Sequence, residues 1–213
     1  SLIVGVRGPW TAKKLGLSSV KIIGDPAFLI EEVFPGAVED GDYDVCALHH
    51  GTAELWNFKE YSSDKIVFLD PAVDLESYVK TIRGARRVFA ESLHAAILCC
   101  VYGKSFTAVS ITTSLEPEKW RDFYELMGLP PVSSLNLHAL GKPWFRYIAT
   151  RGKVRKFRHP SIDGKRPSRN AVEILLRQLY DVEEHCFMKS NNEIVLDIKE
   201  RLRLAVCKLT EEL

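Results

Sequence analysis

Val88-Phe89-Ala90-Glu91-Ser92-Leu93-His94-Ala95-Ala96-Ile97 decides the reading of this chain, because an apolar strand runs directly into a helix whose first turn holds a serine and a histidine. The first N–H groups of a helix lack intrahelical acceptors and carry the positive end of its dipole, so a phosphate or carboxylate settles there. Ser92 is a natural N-cap residue. His94 then falls in the first turn, where an imidazole beside a bound anion can give or take a proton near neutral pH. The plainer alternative is a capping serine with a structural histidine. What favours chemistry is what the rest of the chain brings to the same place.

Around this junction, apolar β-rich runs alternate with helical patterns, the mark of a mostly parallel sheet with helices on its faces. Strands are predicted at 2–6, 20–23, 45–48, 66–69, 88–90 and 106–109, and their lack of in–out alternation suits strands covered on both sides. Pro9 opens a short helix ending about Gly16. Leu75, Tyr78, Val79 and Ile82 recur at helical spacing behind an N-capping Asp74, and Trp120, Phe123, Tyr124 and Met127 repeat the pattern. The expected fold class is therefore α/β, with a Rossmann-like doubly wound domain over 1–150.

The character changes afterwards. Between Arg151 and Arg169, eight of nineteen residues are Lys or Arg against one acid, with Gly152, Pro160, Gly164 and Pro167 interrupting any regular element. A basic linker is expected there, with a surface that an anionic glycan or lipid head group could use. Two apolar stripes follow, one of Val172, Leu175, Leu176 and Leu179 and one of Ile194, Ile198, Leu202, Ala205, Val206 and Leu209, which predict a helical hairpin completing a 151–213 appendage.

Composition narrows the function. With 213 residues, 46% hydrophobic and 27% charged, the chain can bury a full core. Its 29 basic and 28 acidic residues nearly cancel, which argues against nucleic acid as a partner and makes any anion site a local feature. Five cysteines without disulfide-scaffold or zinc-knuckle spacing point to a reduced, cytoplasmic setting, and Cys99 and Cys100 lie in an apolar run as small buried hydrophobes. No run has the length of a membrane span, so any membrane contact is expected to be peripheral. Because the chain opens at Ser1 on a buried-strand pattern, an excerpt of a longer protein is expected.

Strand-to-helix junctions at the carboxyl edge of such a sheet line one crevice. Arg7 in Val6-Arg7-Gly8-Pro9 sets a guanidinium just before a helix start, a side chain whose planar fork matches carboxylate or phosphate. Gly24-Asp25-Pro26 is also ordinary turn chemistry. His49 and His50 lack a third ligand at metal-binding spacing, so neither metal nor organic cofactor is expected. Lys119 and Asp122 are three apart on one helix, which predicts a solvated ion pair.

Taken in order, Gly5-Val6-Arg7-Gly8-Pro9, Gly24-Asp25-Pro26-Ala27, His49-His50, Ala90-Glu91-Ser92-Leu93-His94-Ala95-Ala96-Ile97 and Lys119-Trp120-Arg121-Asp122 resemble the polysaccharide pyruvyl transferase family, its exopolysaccharide branch in particular. The resemblance covers residues 1 to about 130. It implies the carboxyl-terminal half of a GT-B-like fold, with the amino-terminal half-domain, expected to help bind the acceptor, absent from this chain. It further implies transfer of pyruvate from phosphoenolpyruvate to a sugar or lipid-linked glycan. Protonation of the donor's methylene carbon gives an oxocarbenium-like centre, a sugar hydroxyl adds, phosphate leaves, and a second hydroxyl closes the ketal. That path needs cations for a phosphate and a carboxylate, an acid at the methylene and a base for the hydroxyls.

On this resemblance Arg7 grips the donor's anionic groups, His94 is the acid or a phosphate ligand, and Ser92 with the helix amides completes the pocket. Asp25, His49 and His50 fall on the cleft wall in undivided roles. Many family members carry Arg-Leu-His where this chain has Ser92-Leu93-His94, although others also have serine. Arg83, Arg86, Arg87 or Lys119 could supply the missing charge, and spacing does not choose among them. Two other functions fit the same pattern: a GT-B-like glycosyltransferase using a nucleotide sugar, and a non-catalytic binding module.

Overall fold

The structure, a computed structural model, describes residues 3, 5–17, 22–36, 41–54, 58–111, 116–130, 135–137, 149–150, 153–154 and 169–211. Its centre is a parallel sheet of β1 (Asp44–Ala47), β2 (Ile66–Leu69), β3 (Arg87–Ala90), β4 (Ser105–Ser110) and β5 (Leu135–Asn136), ordered β2-β1-β3-β4-β5. Successive strand residues face opposite sides. Val45, Ala47, Val88, Ala90, Phe106 and Ala108 enter one buried cluster, while Cys46, Phe89 and Val109 enter the other. Both faces are apolar because both are covered, which is why the strands read as unbroken hydrophobic runs.

Helix α1 is Pro9–Lys14, α2 is Ile30–Val33, α3 is His50–Ala53, α4 is Leu75–Gly84, α5 is Leu93–Val101 and α6 is Pro117–Met127. Asp74 caps α4 by accepting from Ser77 N–H at 2.9 Å. On one face lie α4, α5 and α6. Seven of the nine residues of α5 are buried, and its first buried positions are Ala95 and Ala96, small enough to bring the helix close to Ala47 and Ala90. The opposite face is covered by a 3-10 turn, Phe58–Tyr61, and by α7 (Arg169–Tyr180), through Phe58, Leu175 and Leu179.

The expected helical hairpin is divided across the sheet. Whereas α7 joins the second face, α8 (Asn192–Glu211) joins the first through Val195, Ile198 and Leu202. Each stripe finds the nearer open apolar surface, so residues from both sides of position 150 share each core. On α8 the buried stripe stops at Leu202, and Val206 and Leu209 are exposed because the last turns run past the core. One antiparallel pair joins β6 (Ala149–Thr150), just before the expected linker, to β7 (Lys153–Val154) within it; the rest of 151–168 lies outside the described residues.

The first two predicted strands also differ. Among the described residues they amount to a single parallel bridge, Val6 to Ile22, outside the five-stranded sheet; residues 2, 4, 20 and 21 are not described. This segment is held from the side by α6 and α8. Gly8 has Asp122 so close that a Cβ would come within 2.3 Å of its carboxylate, and Gly24, at φ +93°, meets Ile198 in the same way. Arg201 of α8 donates to the carbonyl of Ile22 at 2.7 Å.

Candidate active site

In this strand order the chain leaves β1 toward β2 on one side, and β3 lies on the other, so β1 and β3 flank the point where the winding reverses. Open α/β sheets bind ligands beyond the carboxyl ends of such a strand pair. The segments leaving those two strands are His49-His50-Gly51-Thr52 and Glu91-Ser92-Leu93-His94.

Between them sits a carboxylate that residue spacing did not single out. Glu91, 1% exposed, accepts from His49 N–H at 2.9 Å and Thr52 Oγ1–H at 2.9 Å, both on the turn after β1, and from Ile111 N–H at 3.0 Å after β4. Its own N–H donates to Ala47 C=O at 3.0 Å. One side chain thus joins the ends of three adjacent strands. The available signal was an acid placed between an apolar strand and an almost wholly apolar helix, where it must be buried and therefore must find donors.

Ser92 occupies the N-cap position of α5 but makes no side-chain capping bond, and Tyr78 of α4 lies near it. Burial pushes the Tyr78 phenol well above its usual range, so Tyr78 stays neutral. The expected cap is therefore not made, and the Ser92 side chain leaves the first amides of α5 without an acceptor. In the first turn, His94 is exposed, and none of the described residues hydrogen-bonds its ring.

On the adjoining turn, His49 is half-buried and its Nδ1 accepts from Gly51 N–H at 3.2 Å, capping α3. Burial, then the charges of His50 and Lys119, hold its imidazole below the ordinary value, against a smaller pull from Glu116 and Glu54. The exposed His50 lies against it, ring centroids 4.0 Å apart. Lys119, at the start of α6, is thus near enough for its charge to act on this ring.

The predicted Lys119–Asp122 pair is not formed. Lys119 pairs with Glu116 at 2.7 Å, whereas Asp122 is 0% exposed and caps α1, accepting from Trp10 N–H at 2.8 Å, Thr11 N–H at 3.1 Å and the Thr11 hydroxyl. The two diverge because Asp122 adjoins the buried Phe123 and Trp120 side of α6. Arg7 lies over this cap with Nε sealed and 4.0 Å from Asp122, its side chain 31% exposed. Asp25 accepts from Ala27 N–H at 3.0 Å and opens the 3-10 turn Pro26–Leu29, beside a Gly24 packed on Ile198 and Leu126.

Of Arg83, Arg86, Arg87 and Lys119, three are committed away from this edge. Arg86 and Arg87 bind Asp44 at the opposite edge, where β1 and β3 begin, at 2.9 and 3.1 Å, and Arg83 donates to Pro35 C=O. Lys119 is the candidate on the carboxyl side. Among the described residues no group of three His, Cys, Asp or Glu could hold a metal ion, and no helix is long and apolar enough to cross a membrane.

A family model described as polysaccharide pyruvyl transferase matches residues 1–113, the span that contains His49, Glu91, Ser92 and His94. The chain belongs to the polysaccharide pyruvyl transferase family. The succinoglycan biosynthesis protein ExoV of Rhizobium meliloti (strain 1021) is 28% identical over 131 residues, 60% of this chain and 41% of that protein. The chain therefore spans less than half the length of the curated relative it matches. No solved structure matches it.

Proposed function

We propose that this chain carries the donor-binding face of an enzyme that moves a pyruvyl group from phosphoenolpyruvate to a sugar of an exopolysaccharide, in the cytoplasm or at a membrane surface. A further half-domain beyond this chain completes the acceptor side of a GT-B-like cleft. The observation that carries the reading is the uncapped amino end of α5 at the winding reversal, with His94 in its first turn and the Lys119 charge nearby. In a family of pyruvyl transferases, a small donor with a phosphate and a carboxylate suits that end.

In this reading the α5 amides and Ser92 take the phosphate, Lys119 adds the charge that an arginine at position 92 supplies elsewhere, and Arg7 takes the carboxylate. His94 gives the methylene proton. His49 and His50 form the wall toward the acceptor, and Asp25 holds the turn after Gly24 without touching the donor. Once the first sugar hydroxyl has added and phosphate has left, a second hydroxyl closes the ring.

Thermal melting of the full-length protein tests this. Phosphoenolpyruvate should raise the midpoint, whereas uridine and guanosine diphosphates should not, and His94→Ala should remove turnover while the fold stays intact. Stabilisation by the nucleotides alone would replace this reading with a nucleotide-sugar glycosyltransferase. No turnover of the full-length protein on any glycan acceptor would leave a binding module.

A further inference from the structure

Of the three histidines at the proposed site, His49 and His94 have unlike surroundings. A backbone N–H can only donate. Because Gly51 N–H approaches His49 Nδ1 at 3.2 Å, that nitrogen must present its lone pair, and the proton of the neutral ring belongs on Nε2. An Nε2 that carries its proton is a hydrogen-bond donor and has no lone pair with which to act as a base. His94, by contrast, is exposed, with no such restraint among the described residues.

The restraint on His49 depends on the turn that presents it, and the turn depends on Glu91. Glu91 Oε2 receives the N–H of His49 and Oε1 the hydroxyl of Thr52, the first and last residues of the turn. Ile111 N–H, donating to the same Oε1, ties that carboxylate to β4. We propose that Glu91 is a positioning residue of this site: its buried carboxylate fixes the His49–Thr52 turn, so that His49 serves as an Nε2–H donor to an acceptor oxygen of the bound substrate and proton transfer falls to His94.

This division of labour deepens the pyruvyl-transfer reading and rests on it for the identity of the substrate, though not for the state of the ring. The groups that bear on His49 are His50 beside it, Glu54 just past α3, and Glu116 and Lys119 at the start of α6. Lys119 and His50 oppose a second proton on the ring and Glu116 and Glu54 favour one. Their sum, with burial, leaves a neutral donor able to supplement the α5 amides without adding charge.

The test is long-range proton–nitrogen NMR of the chain labelled in its histidines, with His49 assigned from the spectrum lost in His49→Gln. Wild type should show the pattern of a neutral Nε2-protonated ring through neutral pH. In Glu91→Gln one of the two oxygens becomes an NH2 that cannot accept, so the turn loses a tie. Its His49 should become a mixture of tautomers and titrate closer to the ordinary imidazole range. An Nδ1-protonated His49 in wild type, or a folded Glu91→Gln chain with unchanged His49 signals, overturns the proposal.

Should Glu91→Gln fail to fold, Thr52→Val decides, since it keeps the carboxylate and removes one donor. A smaller drift away from the Nε2-protonated form supports the proposal, and an unaltered ring overturns it. The spectra need no substrate. Failure of phosphoenolpyruvate to bind would therefore strike the donor assignment and not the ring, while an Nδ1-protonated ring would strike the role of Glu91 and not the donor.

Discussion

Glu91 and Asp122 are both sealed carboxylates, at 1% and 0% exposure, and both accept from the start of another element, yet they hold their partners in different ways. Glu91 binds neighbouring strand ends, with buried donors on Thr52 and Ile111. Asp122 reaches 112 positions back along the sequence to the half-exposed start of α1. The turn at His49 is thus set into the sheet, and the start of α1 beside Arg7 rests on another helix.

Removing each carboxylate should expose that difference. Glu91→Ala leaves three donors facing a gap, two of them out of reach of water, and should cost about 3–5 kcal/mol of unfolding free energy. Asp122→Ala removes a cap whose donors water can reach, and should cost about 1–2 kcal/mol. Denaturant midpoints compare the two directly. If Asp122→Ala proves the more damaging, burial of the donors is not what separates the clamps.

Arg7 sharpens the comparison, because its neighbour Asp122 orients it and its own burial is partial. Loss of a charge-assisted contact to an anion is worth about 1.5–3 kcal/mol, so Arg7→Ala should weaken phosphoenolpyruvate binding roughly ten- to hundredfold. Stability should move by less than about 1 kcal/mol, as for other half-exposed positions. Calorimetry on the full-length protein checks the first figure and denaturation the second. An unchanged affinity would remove Arg7 from the site.

The same two clamps mark where the sequence was legible. Strands β1 to β4 and helices α4 to α6 could be read because each is a local pattern, an apolar run for a strand and an apolar stripe for a helix, with Asp74 opening α4. The junction at 88–97 was legible for a similar reason, since strand, cap position and first-turn histidine are contiguous. Glu91 and Asp122 escaped because their meaning lies in partners 42 and 112 positions away. Asp122 in particular is separated from solvent by a turn of helix that spacing alone cannot orient. The division of α7 from α8 was hidden likewise, as an amphipathic stripe states that a face is covered and not which surface covers it.

A smaller effect lies in the pH dependence of the Glu91 side. The folded chain holds His49 below the value it regains on unfolding, so between those two values the unfolded chain binds more of the proton. Stability is then full above the ordinary imidazole value, about 6.5, and falls as the pH drops through it, levelling once the folded ring is itself protonated. His49→Gln should flatten that part of the curve, whereas Asp122→Ala should leave its shape unchanged. A curve still sloping to the same extent in His49→Gln would assign the proton to another group.

The smallest effect concerns Cys46, on β1 within range of the Glu91 charge. Its thiol is pushed far above the ordinary range, by burial first and by that charge second. Cys99 is raised likewise, and Cys100 is pushed up to about 12, also chiefly by burial. A thiolate-seeking reagent should therefore modify exposed Cys207 and half-buried Cys186 in the native chain and spare the other three. Glu91→Gln removes only the lesser cause, so Cys46 should gain little reactivity if the sheet edge stays shut. Mass spectrometry after brief alkylation reads the difference: modification of Cys46 as fast as Cys207 in that variant would mean that the carboxylate holds the strands together, so that the edge opens without it, and the contrast with the Asp122 side would then be one of cohesion and not of donor burial.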